Sequence, residues 1–494
     1  MHKKMPIFYS ALLLTGVNLL LRLVSTSFQV YISGKIGAAG VGLLQLVMSV
    51  GAMAMTLGMA GIRTTTMYLS AEEVGKKRPG NIRWILSGCF TYSIICSGAV
   101  AVALYSAAPY LAEHWICDIR TVAAIRLYAG FLPVSCLCGV MTGYFTAANR
   151  IATLAGVEVA EQLLSMVITM TVLTLWAGSD PARACQSIIL GSGISLCATL
   201  VGLIILRLTE KTKTAPRIPV QSRLLQAAVP LALADDLKAG ISTTENLMVP
   251  KRLSLYPSET HPLAAFGMVC GMVFPMIMFP AAILFGLAEL LIPELARCAA
   301  AGSQKRICYL AKRSLRVALI YGCLFSGLEF LLAETLCTHL YKTPEASQYL
   351  SWYALLIPML YWDAITDAMI KGLGQQKASV RYNIITSTMD VVFLYILLPH
   401  YGMVGYFFSF LITHLINFIL SIQRLLKIVG EVIDIKFPVL TLLSTWGSIW
   451  AAGMITNDVL SSCAYVLIFF CLLTLLGIVG KDDIAWIKGL VYKK

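Results

Sequence analysis

The chain has 494 residues, of which 58% are hydrophobic and only 13% are charged. A soluble protein of this length could not bury so much apolar surface, so the composition excludes an ordinary water-soluble enzyme or binding domain. The net charge of +13 would suit a nucleic-acid-binding protein. However, the basic residues are spread over short loops between apolar runs. We therefore expect an integral membrane protein with no nucleic-acid partner.

Apolar runs of about 20 residues or more recur along the whole chain, and each is long enough to cross about 30 Å of hydrocarbon. Fourteen runs are predicted to be membrane-spanning helices: 7–33, 39–69, 82–109, 121–147, 152–177, 185–208, 222–249, 262–292, 306–338, 348–373, 378–400, 402–428, 435–456 and 459–479. No loop between them is long enough to fold as a soluble domain. The first run is longer than a signal-peptide core and contains Arg22, so it is predicted to be a retained helix.

The charges of the loops predict the orientation of the chain in the membrane. If the N-terminus is cytoplasmic, the cytoplasmic segments hold 28 Lys and Arg residues and the opposite side holds 6. This bias follows the positive-inside rule, and one missed or extra helix would remove it. We expect a multi-pass protein of the bacterial cytoplasmic membrane with both termini in the cytoplasm.

The longest polar linker, 209–223, separates six predicted helices from eight. This organisation predicts two parallel six-helix lobes, as in transporters whose repeats are related by an axis along the membrane normal. The predicted division is an N-terminal lobe at 1–208, the cytoplasmic linker at 209–223, and a C-terminal lobe at 224–430. Two additional helices and a cytoplasmic tail follow at 431–494.

Four cations, Arg22, Arg63, Arg126 and Lys238, lie inside predicted spans. A cation at the centre of a membrane helix costs about 2.5 kcal/mol or more, so it usually faces a polar cavity, and often one that handles an anion. At about 1.5 Å per residue, Arg22 and Lys238 lie near the membrane midplane, each on the first helix of its lobe. Arg63 and Arg126 lie nearer the ends of their spans and could instead reach the headgroups. These four residues are the candidate substrate-binding cations.

Polar side chains form stripes along several predicted helices, since residues three, four or seven apart share a helix face. A stripe facing lipid would not be tolerated, so these faces must point at each other or at water. Further candidates for the cavity or for ion coupling are Asn18, Gln29, Glu158, Glu161, Asp235, Glu245, Asp363, Asp367 and Asp390. Asp235 and Lys238 could simply neutralise each other. Glu245, Asp363 and Asp390 could bind a proton or sodium, could pair with the cations, or could be neutral.

Several short segments are similar to those of a known family: Gly37–Leu46, Ala60–Ile62, Leu69–Glu72, Leu247–Leu253, Pro293–Ala296, Lys371–Gln376 and Leu398–Tyr406. Together they resemble the oligosaccharide flippases typified by stage V sporulation protein B. That family lies in the multidrug/oligosaccharidyl-lipid/polysaccharide exporter (MOP) superfamily, with the lipid II flippases and the multidrug and toxin extrusion antiporters. Fourteen helices agree better with the flippase branches than with the twelve-helix antiporters.

The resemblance implies a V-shaped bundle of two lobes around a central cavity, alternating access, and export of an undecaprenyl-diphosphate-linked saccharide. In the related lipid II flippases, cavity arginines on the early helices are thought to hold the diphosphate, and Arg22 and Arg63 are the matching candidates. The expected partners are therefore a lipid-linked saccharide, membrane lipids and a coupling H⁺ or Na⁺. No cofactor or metal site is expected.

Three other functions would require different features of the sequence. A drug or cation antiporter of the same superfamily predicts that carboxylates dominate the cavity; Glu245, Asp363 and Asp390 favour it, whereas Arg22 and Lys238 count against it. A membrane enzyme would need a sizeable surface loop, and the sequence contains no nucleophile–base pair at the surface, so no enzyme is predicted. A channel would need a filter-like loop. The pathway served, whether peptidoglycan, spore cortex or capsule, stays open.

Overall fold

The computed structural model describes residues 7–75, 79–148, 150–177, 180–209, 221–430 and 434–478. Throughout these ranges the regular elements are helices, which satisfy their backbone hydrogen bonds within one segment and so suit a bilayer. The α-helices of these ranges are α1 (Ile7–Met59), α2 (Ile62–Gly75), α3 (Ile82–Tyr110), α4 (Val122–Ala147), α5 (Ile151–Val172), α6 (Pro181–Leu208), α7 (Gln221–Leu253), α8 (Pro262–Met268), α9 (Phe274–Ala300), α10 (Gln304–Leu331), α11 (Ala333–Leu336), α12 (Ala346–Ala354), α13 (Ile357–Gly372), α14 (Gln376–Val429), α15 (Lys436–Ala452) and α16 (Asp458–Leu475).

The two longest helices are each broken by a glycine in the left-handed region. Gly37 in α1 has φ 69° and Gly402 in α14 has φ 58°. A side chain is strained at such angles, whereas glycine has no Cβ to clash with the following carbonyl. Each glycine falls at the junction of two predicted spans, so α1 and α14 each provide two membrane crossings.

Length and apolar composition identify nine helical segments of the described ranges that could cross a membrane, and the two segments of 54 residues contain the breaks at Gly37 and Gly402. The helix α7 is not among the nine, since it holds Asp235, Asp236 and Lys238 within four positions. The predicted span 39–69 is interrupted after Met59, where α1 ends and α2 begins. When α2 is taken with the second half of α1, α8 with α9, α11 with α10 and α12 with α13, the described helices follow the fourteen predicted spans in order. The prediction of an all-α membrane protein with about fourteen crossings is confirmed.

The described residues up to Gly271, together with Leu394–Gly402, form one compact unit. Within it α1 packs against α3 to α8, and α4 packs against α2, α3 and α6. One apolar core of this unit joins α2, α3, α4, α6 and α7 and includes the buried side chains Ile62, Ile85, Phe145, Leu203 and Ala228. This core holds α2 and α7 against the same neighbouring helices.

The second compact unit consists of Met272–Phe393 and the described residues from Met403 on. Its central helix is α10, which packs against α9, α12, α13, α15 and α16. The buried Tyr465 of α16 donates a hydrogen bond of 2.7 Å to the carbonyl oxygen of Cys323. A Cβ atom at Gly327 would come within 2.1 Å of the Tyr465 ring, so this glycine allows the close approach of α16 to α10. The two additional C-terminal helices of the sequence analysis are α15 and α16.

The predicted lobes, 1–208 and 224–430, stay a prediction, because compactness in one conformation does not identify bodies that move against each other. Residues 210–220 of the predicted linker and the predicted tail from residue 479 lie outside the described residues.

Candidate functional site: a cationic cavity between α1, α2 and α7

The backbone between α1 and α2 positions the first residue of the site. Ala60 and Gly61 both have positive φ, 42° and 68°, so the chain leaves α1 and starts α2 in a new direction. The amide of Ala60 donates to the Thr56 carbonyl at 3.0 Å, which closes the last turn of α1. Arg63 therefore lies in the first turn of α2, at the junction of the two helices.

A cavity of about 510 Å³ lies beside this junction, within the first compact unit. On one side it is lined by the end of α1 and the start of α2, and on the other side by the middle of α7. Its lining residues are Met55, Thr56, Met59, Gly61, Ile62, Arg63, Thr64, Asp235, Lys238, Ala239 and Ser242. The fold thus brings together two of the four predicted intramembrane cations, Arg63 and Lys238, with the predicted cavity residue Asp235.

The charges in this cavity leave a net positive site. Arg63, Asp235 and Lys238 all have exposed side chains that line the cavity. Among the described residues, no ion pair joins Lys238 to Asp235, although the two are one helical turn apart. The mutual neutralisation of Asp235 and Lys238 is therefore not seen in this arrangement, and the Lys238 ammonium is available to a ligand.

A second compartment of about 310 Å³ adjoins the first and is different in character. The two share Thr56, Ala239 and Ser242 as lining residues. The lining of the second compartment is Gln45, Met48, Ser49, Ala52, Met53, Thr56, Ala239, Ser242, Thr243 and Asn246. This set of described residues contains no acidic or basic side chain. The site therefore runs along α1 and α7 from a charged part to a neutral polar part.

Three other candidates, Arg22, Gln29 and Arg126, are not among the described lining residues of either compartment. Arg22 lies in α1 with a half-buried side chain. The side chain of Asn18 lies outside those described. The amide of Gln29 donates to the Gly271 carbonyl at 3.1 Å and so ties α1 to the segment after α8. The Arg126 guanidinium lies 4.9 Å from the centre of the Tyr105 ring, where a cation–π contact stabilises it.

The candidate carboxylates of the first unit also lie outside the two compartments, apart from Asp235. Glu158 and Glu161 are half-buried on α5, and the Glu161 carbonyl accepts a 2.7 Å hydrogen bond from the hydroxyl of Ser195. Glu245 is half-buried on α7 and makes contacts of its own. These three residues stay candidates for ion coupling without an observed place in the cavity.

The candidate carboxylates of the second unit are held by polar neighbours. Asp390 is buried, with one carboxylate oxygen 2.5 Å from the Ser409 hydroxyl and 3.3 Å from that of Thr413. The Asn417 amide donates to Asp363 at 3.0 Å. Within the part of the chain that the structure describes, Asp363 and Asp390 are thus held by hydrogen bonds and not by an ion pair.

Asp367, the third candidate carboxylate of the second unit, forms an ion pair with Lys371. It accepts a hydrogen bond from the Ser379 hydroxyl, and its carboxylate lies 2.5 Å from the Lys371 ammonium. These two residues are four positions apart on α13, a spacing that places them on the same helix face.

Sequence comparisons match the chain to a family model and to a curated protein. The MatE family model matches residues 252–396. Stage V sporulation protein B of Bacillus subtilis (strain 168) is 21% identical over 416 residues, which is 81% of this chain and 80% of that protein.

Solved structures give the same indication for the fold. The lipid II flippase MurJ in an inward closed conformation matches with a TM-score of 0.69 at 12% identity, covering 94% of this chain and 98% of that one. An inward-facing multidrug resistance MATE family transporter of the MOP superfamily matches with a TM-score of 0.66 at 15% identity, covering 90% of this chain and 100% of that one. The chain thus shares its fold with transporters of the MOP superfamily, and in sequence it resembles the MatE family model and stage V sporulation protein B.

This resemblance confirms the predicted family likeness, and the long apolar helices of the described residues agree with a multi-pass membrane protein. A MOP superfamily transporter from Pyrococcus furiosus also shares the fold, with a TM-score of 0.61 at 14% identity over 84% of this chain and 95% of that one. The reversed polarity of that protein's binding pocket suggests that it has a different function. The fold is therefore common to flippases and to drug transporters. The choice of substrate must come from the lining of the cavity.

Sequence reasoning missed two groups of charged residues. Glu329 of α10 is 6% exposed, and its Oε2 atom has no hydrogen-bond partner among the described residues. Glu72 and Glu73 at the end of α2 pair with Arg223 at the start of α7, at 2.7 and 3.2 Å. An acidic residue inside an otherwise apolar run was the available signal for Glu329. The ion-pair cluster had no local signal, because its partners are about 150 positions apart in the sequence.

Proposed function

We propose that the protein is a flippase that moves an undecaprenyl-diphosphate-linked saccharide across the bacterial cytoplasmic membrane by alternating access. The observation behind this proposal is the cavity between α1, α2 and α7, which Arg63 and Lys238 line together. Lys238 has no ion-pair partner within the described residues, and the single acid of the lining does not balance the two cations. A cavity of this charge suits an anionic ligand.

The physical argument concerns the charge of a diphosphate. Taking an anion out of water is expensive, and cations held in a cavity replace the lost hydration. Hydrogen bonds to charged groups contribute about 1.5–3 kcal/mol each, so two cations would lower the free energy of the bound diphosphate appreciably. The long apolar tail would stay in the lipid, and the protein would move only the polar part.

The predicted topology gives the cavity a direction. With the N-terminus in the cytoplasm, the second crossing of α1 runs toward the cytoplasmic side and α7 runs away from it. Arg63 and Asp235 then lie toward the cytoplasm, and Gln45 and Asn246 lie toward the outside. A lipid entering from the cytoplasmic leaflet would meet the cationic compartment first.

Energy for the transport would come from the membrane potential or from a coupled H⁺ or Na⁺. The hydrogen-bonded carboxylates Asp363 and Asp390 are the candidates for the ion site, since an ionisable group inside a membrane is usually functional. The proposed cycle requires no bond to be made or broken, so we propose a transporter and not an enzyme.

An ion-coupled multidrug antiporter is the second candidate. Asp235 lines the same cavity as Arg63 and Lys238, so a cationic drug would find one carboxylate there. The fold is shared with a multidrug resistance transporter. Two cations against one carboxylate make this candidate the weaker one.

Purified protein in liposomes distinguishes the two. A fluorescent undecaprenyl-diphosphate sugar reports translocation by its loss of protection from a membrane-impermeant quencher, and a fluorescent cation reports drug transport under a proton or sodium gradient. We expect translocation of the lipid well above that of empty liposomes. Gradient-driven movement of the cation without movement of the lipid would establish the antiporter instead.

A further inference from the structure

The second compartment has the chemistry of a sugar site. We propose that it binds the sugar next to the diphosphate and that it selects an uncharged sugar over an acidic one. This inference rests on the proposed flippase function and names the part of the substrate that the neutral compartment recognises. It follows from the lining of the compartment, from its unpartnered amides and from its position beside the cations.

Two side-chain amides, one from each helix, line this compartment. Gln45 is on α1 and Asn246 is on α7, and both are half-buried. Within the described residues neither amide has a hydrogen-bond partner. Each amide offers two donors and one acceptor oxygen, which matches the mixed donor and acceptor character of a sugar hydroxyl or acetamido group. Half-buried amides without partners favour a ligand that supplies them.

The hydroxyl groups of the lining are arranged differently. Those of Ser49, Thr56 and Thr243 donate to backbone carbonyls: to Gln45 at 2.8 Å, to Ala52 at 3.0 Å and to Ser49 at 3.2 Å. Their donors are therefore used within the protein, and their oxygens remain acceptors. The bond from Thr243 also joins α7 to α1, so it fixes the distance between the walls that hold the two amides.

The absence of charge among the lining residues decides the class of sugar. A uronate in this compartment would bury a carboxylate with amides and hydroxyls around it but without a cation in the lining. Burying an unpaired charge is far less favourable than burying a hydrogen-bonded neutral group. The methionines Met48 and Met53 add flexible apolar surface that can pack against a sugar ring.

The position of the compartment fits the covalent order of the substrate. Gln45 and Thr56 are eleven residues apart on α1, which corresponds to about 16 Å along a helix. The shared residues Thr56, Ala239 and Ser242 form the boundary between the compartments. A diphosphate held by Arg63 and Lys238 would therefore place its attached sugar directly in the neutral part.

The test compares three fluorescent lipids in liposomes: undecaprenyl diphosphate without a sugar, the same lipid with an N-acetylhexosamine, and the same lipid with a hexuronic acid. The variants are Gln45→Met and Asn246→Leu, which remove the amides at similar volume, and their combination. The control is Thr244→Val, which changes an exposed residue of α7 that lines neither compartment. Melting temperatures in detergent verify that each variant is folded.

We expect wild-type protein to move the N-acetylhexosamine lipid at least tenfold faster than the uronic acid lipid. The quantity compared between variants is the rate with the N-acetylhexosamine lipid divided by the rate with the sugar-free lipid. Each amide variant should lower this ratio about tenfold, since each removes a hydrogen bond to the sugar. Thr244→Val should leave this ratio unchanged. An unchanged ratio in the amide variants, or equal rates for neutral and acidic lipids, would overturn the sugar site while leaving the flippase in place. If wild-type protein moves none of the three lipids, the proposed function fails and the sugar site fails with it.

Discussion

The ion-pair cluster between α2 and α7 is expected to stabilise the fold more than a surface ion pair does. Arg223 pairs with Glu72 at 2.7 Å and with Glu73 at 3.2 Å, and Asn81 donates a further hydrogen bond of 2.8 Å to Glu73. The side chain of Glu73 is only 3% exposed, whereas that of Arg223 is 36% exposed. Replacing Arg223 by methionine would leave the Glu73 carboxylate buried with the Asn81 amide as its remaining partner among these residues.

The size of the expected loss in stability follows from the exposed fractions of these two side chains. Removing one partner of a fully buried ion pair costs about 3–5 kcal/mol, and an exposed pair contributes about 0.2–1 kcal/mol. Because water reaches Arg223 but hardly reaches Glu73, we expect Arg223→Met to lower the free energy of unfolding by about 1.5–3 kcal/mol, between these limits.

Equilibrium unfolding in mixed micelles, by titration with a denaturing detergent, measures this change. The matched control is Arg306→Met, because Arg306 lies 2.6 Å from Glu294 but the two side chains are 64% and 28% exposed. The control should lose about 0.5 kcal/mol or less. Equal losses for the two variants would refute the reasoning from burial.

Two further predictions concern close packing and a buried carboxylate. A Cβ atom at Gly267 would lie 2.0 Å from the Ala38 carbonyl oxygen. The variant Gly267→Ala should therefore destabilise the protein by about 1–3 kcal/mol and lower its melting temperature. The control Gly240→Ala has open space around the new Cβ atom and should not lower the melting temperature. Asp390→Ala removes the carboxylate that accepts from the Ser409 and Thr413 hydroxyls, and it leaves Ser409 only the more distant Asp390 carbonyl oxygen at 3.4 Å. This variant should lose about 1–3 kcal/mol, measured by thermal unfolding. Asp390→Asn, which keeps an acceptor oxygen, should lose clearly less.

The fold could be predicted from sequence because the membrane imposes a length on every crossing. Runs of about 20 apolar residues can satisfy their backbone only as helices, so the order of the crossings follows from composition. The breaks in α1 and α14 were predicted as short junctions between spans, and they occur at Gly37 and Gly402. Charged helices such as α7 were also recognised, since the alternation of basic loops requires a crossing there.

The site could be predicted only in part, because depth in the membrane follows from sequence but the direction of a side chain does not. Arg63 and Lys238 were both predicted to lie inside the membrane, yet their meeting depends on the packing of α2 and α7, which are far apart in the chain. Arg22 has a similar predicted depth to Lys238, but it lies on a part of α1 that does not line the cavity. The neutral compartment was missed because sequence does not show that the polar face of α1 with Gln45 and Ser49 meets the polar face of α7 with Ser242 and Asn246.

The most direct test of the cationic cavity is the rate at which purified protein in liposomes moves a fluorescent undecaprenyl-diphosphate sugar, for wild type and for Arg63→Gln, Lys238→Gln and their combination. The control is Arg252→Gln, whose side chain stacks on Tyr395 away from the cavity. We predict a rate about 10–100-fold lower for each cavity variant, because each loses a charged hydrogen bond to the diphosphate, and a rate near that of wild type for the control. Wild-type rates in the combined variant would contradict the role of these cations in holding the substrate.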